Sequence, residues 1–191
     1  MYAVGNGGGI ARYDGTSWRR LESGTTLPIN DVFGAEVPFT GEAIVLCVAS
    51  NKFYNEGKKL FGIIGGTVFT HPDGGLPWSL SGVWFSQGRK YFVVGDGLFR
   101  AGTLTQVGWM PFHQGLTAYY TNCIRGDRIN NVVVAGAFGE LLTFNGISWF
   151  SQRGQTALTN GSFYSVAVKD NLIVAVGQVT SEAVFAIGKR N

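Results

Sequence analysis

YDGTSW, Tyr13 to Trp18, and FNGISW, Phe144 to Trp149, write one phrase twice, in distant parts of the chain. Both run aromatic, Asp or Asn, Gly, any residue, Ser, Trp. A phrase kept in register over such a distance points to an internal repeat, and a period of about 20 to 50 residues marks solenoids, propellers or arrays.

Other columns fix the period. Apolar runs end on glycine at Gly5 (YAVGN), Gly95 (FVVGD), Gly136 (VVAGA) and Gly177 (VAVGQ). The last three are evenly spaced, and the step from Gly5 to Gly95 is about twice as long. That longer step holds two periods, and its middle member is VLCVAS, where Ala49 takes the glycine's place. Trp18 and Trp149 follow Gly5 and Gly136 at the same distance, and Trp109 follows Gly95 one position later. Glycine–threonine phrases come next at Gly24, Gly115 and Gly154, and then a short apolar run: INDVFGA, LSGVWFS, YYTNCIRG or SFYSVAVK.

Each period reads as four short strands, and no stretch carries an amphipathic helical pattern. Asp14-Gly15 and Asn145-Gly146 suit two-residue hairpins, whose central residues need positive φ. Four-stranded units at this period predict an all-β β-propeller. The strands sum to eighteen over about five blades, with the first and last blades incomplete. Val32, Val83, Cys123 and Val166 are expected at equivalent places on the innermost strands, which should be the shortest. Trp18, Trp109 and Trp149 are expected between blades.

Composition agrees. The chain has 191 residues with 29 glycines and 14% charged residues, which suits many strands joined by glycine turns. Residues 1–191 are expected to form a single propeller domain, and the entry straight from Met1 into YAVG suggests that upstream sequence is lacking. A net charge of +3 with scattered basic residues excludes a nucleic-acid footprint, and no apolar run is long enough for a membrane span. Compartment and oligomeric state are not encoded in any motif. Cys47 and Cys123 sit in apolar stretches and are expected as buried free thiols.

The stretch VGNGGGIARYDGTSWRRLESGTT resembles the repeats of bacterial secreted or surface β-propellers related to Asp-box and regulator propellers. The resemblance covers the chain as a repeat grammar. Asp boxes place Asp five residues before Trp, whereas Asp14 and Asn145 stand four before Trp18 and Trp149. Sialidase chemistry is therefore not carried over, and such boxes stabilise turns in any case.

In a propeller, the loop between the second and third strands opens on the same end as the link between blades, and ligand sites gather on loops held by a rigid scaffold. That end carries NKFYNEGK, THPDGGLP, HQGLTA and RGQTALTNG, which nominate Tyr54, Lys58, His71, Asp73, His113, Gln114, Arg153 and Gln155 for binding. NKFYNEGK exceeds its counterparts NGGG and DG in length. A metal at His71 and His113 would need Asp73 as third ligand, and exposed or turn-bonded histidines are the expectation. No pair of carboxylates, arginine clamp or nucleophile motif is evident, and no helix follows VGNGGG to cradle phosphate. The reading is a non-catalytic binding or scaffold module for protein or carbohydrate partners, with no cofactor and no metal. The alternatives are a sialidase-like hydrolase and a structural assembly component.

Overall fold

The structure, a computed structural model, describes residues 1–36, 41, 43–51, 57–86, 90–105, 108–113 and 115–190, and in them eighteen strands form five antiparallel sheets. The first sheet is β1 (Tyr2–Val4), β2 (Ile10–Tyr13) and β3 (Trp18–Leu21). The second is β4 (Ile29–Glu36), β5 (Ala43–Ser50), β6 (Lys58–Ile64) and β7 (Thr67–His71). The third is β8 (Leu80–Ser86), β9 (Lys90–Gly95), β10 (Gly97–Ala101) and β11 (Met110–Pro111). The fourth is β12 (Thr121–Arg128), β13 (Asn131–Gly136), β14 (Leu141–Phe144) and β15 (Trp149–Ser151). The fifth is β16 (Ser162–Lys169), β17 (Leu172–Val179) and β18 (Glu182–Lys189). Within every sheet the strands neighbour one another in chain order.

The glycine column has a steric cause. A Cβ at Gly95, Gly136 or Gly177 would lie 2.0, 2.6 or 1.9 Å from the carbonyl oxygen of Ser79, Tyr120 or Ser162, backbone at the start of the adjacent first strand. Gly5 belongs to a sheet without that strand, and a Cβ there would meet nothing within 4 Å.

Next to this column each first strand bulges. The bulged residues are Asn30, Ser81, Asn122 and Tyr164. The first three reach the next blade: Asn30 Nδ2 donates to Leu80 O (2.7 Å), Ser81 Oγ to Thr121 O (2.5 Å) and Asn122 Nδ2 to Phe163 O (2.9 Å). The extra residue, unpaired within its own ladder, becomes the stitch between blades. Counting from the bulge, Val32, Val83 and Val166 are equivalent, pairing with Cys47, Val93 and Ala175, but the fourth member is Ile124, which pairs with Val134. Cys123 lies one position early. The innermost strands are also not the shortest. In the four-stranded blades none is longer than the first strand, and the outermost is the shortest, down to the Met110–Pro111 pair of β11.

Four apolar cores lie between consecutive blades, formed where side chains of adjacent sheets interdigitate. Trp109 (4% exposed) and Trp149 (7%) project into the cores shared with the preceding blades, whereas Trp18 is 52% exposed and lies on Tyr13. No blade precedes the first in this structure, so the same residue has nothing to pack into. The far end matches it: Phe185, 73% exposed, pairs with Val176 as the buried Leu60, Leu98 and Leu141 pair with Val48, Val94 and Ala135.

The opening phrase is a capped turn. Asp14 Oδ1 accepts from the N–H groups of Thr16 and Ser17 (both 2.9 Å), and Asn145 Oδ1 from those of Ile147 and Ser148 (2.9 and 2.8 Å). Tyr13 pairs with Trp18 and Phe144 with Trp149, so each loop has four residues, not the two expected. The short side chain mimics the backbone acceptor of a turn, and positive φ is needed only at Gly15 (109°) and Gly146 (97°).

Both cysteines are free and buried. Burial, reinforced by the charge of Asp31, pushes the Cys47 thiol up to about 12. Asp31 is mostly buried. It forms a two-pronged ion pair with Arg125 (2.7 and 2.8 Å) and accepts from the N–H of Val83 (3.0 Å). One carboxylate thus joins the first strands of three successive blades.

Candidate functional site

Two loop classes share one end of the blades: the link from second to third strand, and the link from one blade to the next. At the junction of the fourth and fifth blades they enclose a cavity of about 620 Å³. Its walls come from Gly115–Tyr119 before β12, from Glu140 between β13 and β14, and from Ser151 to Thr159 before β16. The last of these includes the single helical turn α1 (Arg153–Thr156).

Three residues from three loops lock together on the rim. The Arg153 guanidinium lies 4.5 Å from the Tyr119 ring, and its Nε donates to Phe138 O at 2.8 Å. Phe138 in turn contacts Tyr119, with ring centroids 5.2 Å apart. Cation–π attraction and ring contact together hold Tyr119 in one orientation. Phe138 is 48% exposed and has φ of 55°, a left-handed conformation that costs a bulky residue energy and that clusters at functional sites. Gly139 follows because a Cβ there would lie 1.9 Å from Leu158 O. Thr156 Oγ1 lies 3.0 Å from Gly139 O and ties the helical turn to the same loop.

The floor is acidic. Glu140 is 2% exposed and its Oε1 accepts from Ser151 Oγ at 2.7 Å. Among the described residues no basic side chain forms an ion pair with it.

The nominated residues that the structure describes fall on this end but at three separate junctions. Lys58 donates to Leu76 O and lies 5.5 Å from the Trp78 ring. His71 ends β7, half-buried, and burial holds its imidazole below the usual histidine range. Asp73 heads the turn that closes through Leu76 N–H to its own carbonyl (3.1 Å). His113 turns inward: Leu98 N–H donates to its Nδ1 at 3.2 Å and its ring meets Phe99. Gln155 is exposed on α1, and among the described nominated residues only Arg153 lines the cavity. Tyr54 and Gln114 lie outside the described residues. No metal-binding cluster of three acidic, His or Cys residues occurs among the described residues.

No family model matches the chain, and no curated protein matches it. Solved structures do. YCF48 bound to D1 peptide superposes with a TM-score of 0.68 at 16% identity, over 100% of this chain and 60% of that one. YCF48 from Cyanidioschyzon merolae gives 0.64 at 13% identity, over 98% of this chain and 65% of that one. The chain is an all-β propeller of five blades, the first and last three-stranded.

Phe138, Tyr119, Glu140 and Ser151 escaped the sequence reading. AFGE is no longer than a turn requires, so loop length gave no signal. The usable signal was an aromatic directly before glycine, where the first and third blades carry only Asn, Asp or Gly (NGGG and DG).

Proposed function

We propose that this propeller is a non-catalytic binding module that takes an extended segment of a protein partner across its loop end, centred on Phe138, Tyr119 and Arg153. The observation that carries the reading is the exposed, left-handed Phe138, braced by Arg153 and Tyr119 beside a cavity with a polar floor. A rigid aromatic with an adjoining arginine is the composition of binding hot spots. In a structural neighbour, YCF48, the bound molecule is the D1 peptide. Peptide is favoured over glycan and over hydrolysis because the cavity wall holds one carboxylate, Glu140, where glycoside cleavage ordinarily needs two. Lys58, His71, Asp73 and His113 extend this proposal to the neighbouring junctions of the same end and Gln155 adds to it on α1, with Tyr54 and Gln114 retained from the sequence alone, within one domain spanning residues 1–191.

A synthetic peptide array, a glycan array and a glycosidase panel, each run on wild type and on Arg153→Ala and Tyr119→Ala, test the reading. We expect peptide hits that weaken by about tenfold or more, roughly 1.4 kcal/mol, in both variants. Glycan-only binding, glycoside turnover, or peptide binding indifferent to both changes would contradict it.

A further inference from the structure

The buried Glu140 carboxyl group at the cavity floor has a hydroxyl partner and no basic partner among the described residues. Arg153 lines the same cavity, yet its guanidinium is laid on Tyr119 and its Nε is committed to Phe138 O. The cavity therefore holds a carboxylate and a guanidinium apart. A carboxylate withdrawn from water is costly unless paired, so the cavity favours a ligand that brings a cation to Glu140.

From this we infer that the partner segment is recognised by a lysine side chain whose ammonium pairs with Glu140, while the segment's backbone carbonyl accepts from the terminal nitrogens of Arg153. Lysine fits better than arginine for a geometric reason. Ser151 already donates to Glu140 Oε1, so a guanidinium fork would have to share that oxygen with the hydroxyl, whereas an ammonium can pair with the other oxygen alone. The apolar stem of lysine would run past Leu116, Ala118 and Ala157, which line the passage to the floor. The inference rests on the binding reading above.

The test uses three probes: acetyl-Gly-Lys-Gly-amide, its norleucine counterpart and its arginine counterpart. Each is titrated by NMR into isotope-labelled wild type, Glu140→Gln and Arg153→Ala. The expected result is saturable shifts at residues 115–119 and 151–159, with the lysine probe at least about tenfold tighter than norleucine and tighter than arginine. Glu140→Gln should abolish the lysine advantage. Equal binding of the lysine and norleucine probes by wild type, or no binding by either, overturns the inference and needs no variant. If the two bind equally but both weaken in Arg153→Ala, the lysine assignment falls and the binding reading stands. A lysine preference that survives Glu140→Gln also overturns it.

Discussion

The indole of Trp149 stacks on Phe144, with ring centroids 4.9 Å apart, and meets Phe92 edge-on at 5.9 Å, a contact that bridges the third and fourth blades. Among the described residues its Nε1 is a buried donor without a partner, whereas Trp109 Nε1 donates to Pro72 O at 3.2 Å. Packing, not hydrogen bonding, holds Trp149 in place. Trp149→Ala should cost about 3 to 5 kcal/mol in urea unfolding, the usual loss for deleting a core aromatic. Trp18→Ala, with no blade to pack against, should cost less than about 1 kcal/mol. Equal losses would mean that the blade order is wrong. The tryptophan column was legible in the sequence, but the fate of Trp18 was not. Burial of a repeat residue belongs to its neighbour, and a pattern cannot show which repeat lacks one.

At the scale of the element, the third-to-fourth-strand turn is written with Asp in the first blade and Asn in the fourth. Hydrogen bonds from the N–H groups of Ser17 and Thr16 hold the Asp14 carboxyl below the usual carboxylate range. With a folded pKa lower than the unfolded one, the cap's contribution is present above about pH 4 and is lost as pH falls through the folded value. Asn145 makes the same two bonds and does not titrate. In an acid NMR titration the amide signals of Thr16 and Ser17 should move while those of Ile147 and Ser148 stay. Joint movement of all four would refute the cap. Strand order and the glycine column were legible because they repeat. The bulge was not, because Asn30, Ser81 and Asn122 share a donor role rather than a spelling, and that hid the one-position shift at Cys123.

Across the whole molecule, Asp31 and Arg125 strap the second blade to the fourth over the third. Burial works against the Arg125 charge, but the hydrogen bond and charge of Asp31 outweigh it and raise the guanidinium pKa. Removing one partner strands the other, so Asp31→Ala should cost about 2 kcal/mol, less than a fully buried pair because Arg125 keeps some solvent contact. Unchanged stability by urea unfolding would count against the strap. No repeat column links residues 31 and 125, and only the curvature of the stack brings them together. The same limit applied to the candidate site: topology nominated the loop end and Arg153, while Phe138, Tyr119 and Glu140 come together only where three loops meet.

The central claim, that partners dock at the junction of the fourth and fifth blades, is tested most directly by hydrogen exchange of the wild-type chain with and without its tightest array peptide. New protection should concentrate in residues 115–119, 137–140 and 151–159. Protection at the opposite end, in the turns at 14–17 and 145–148, or no change at the junction, would contradict it.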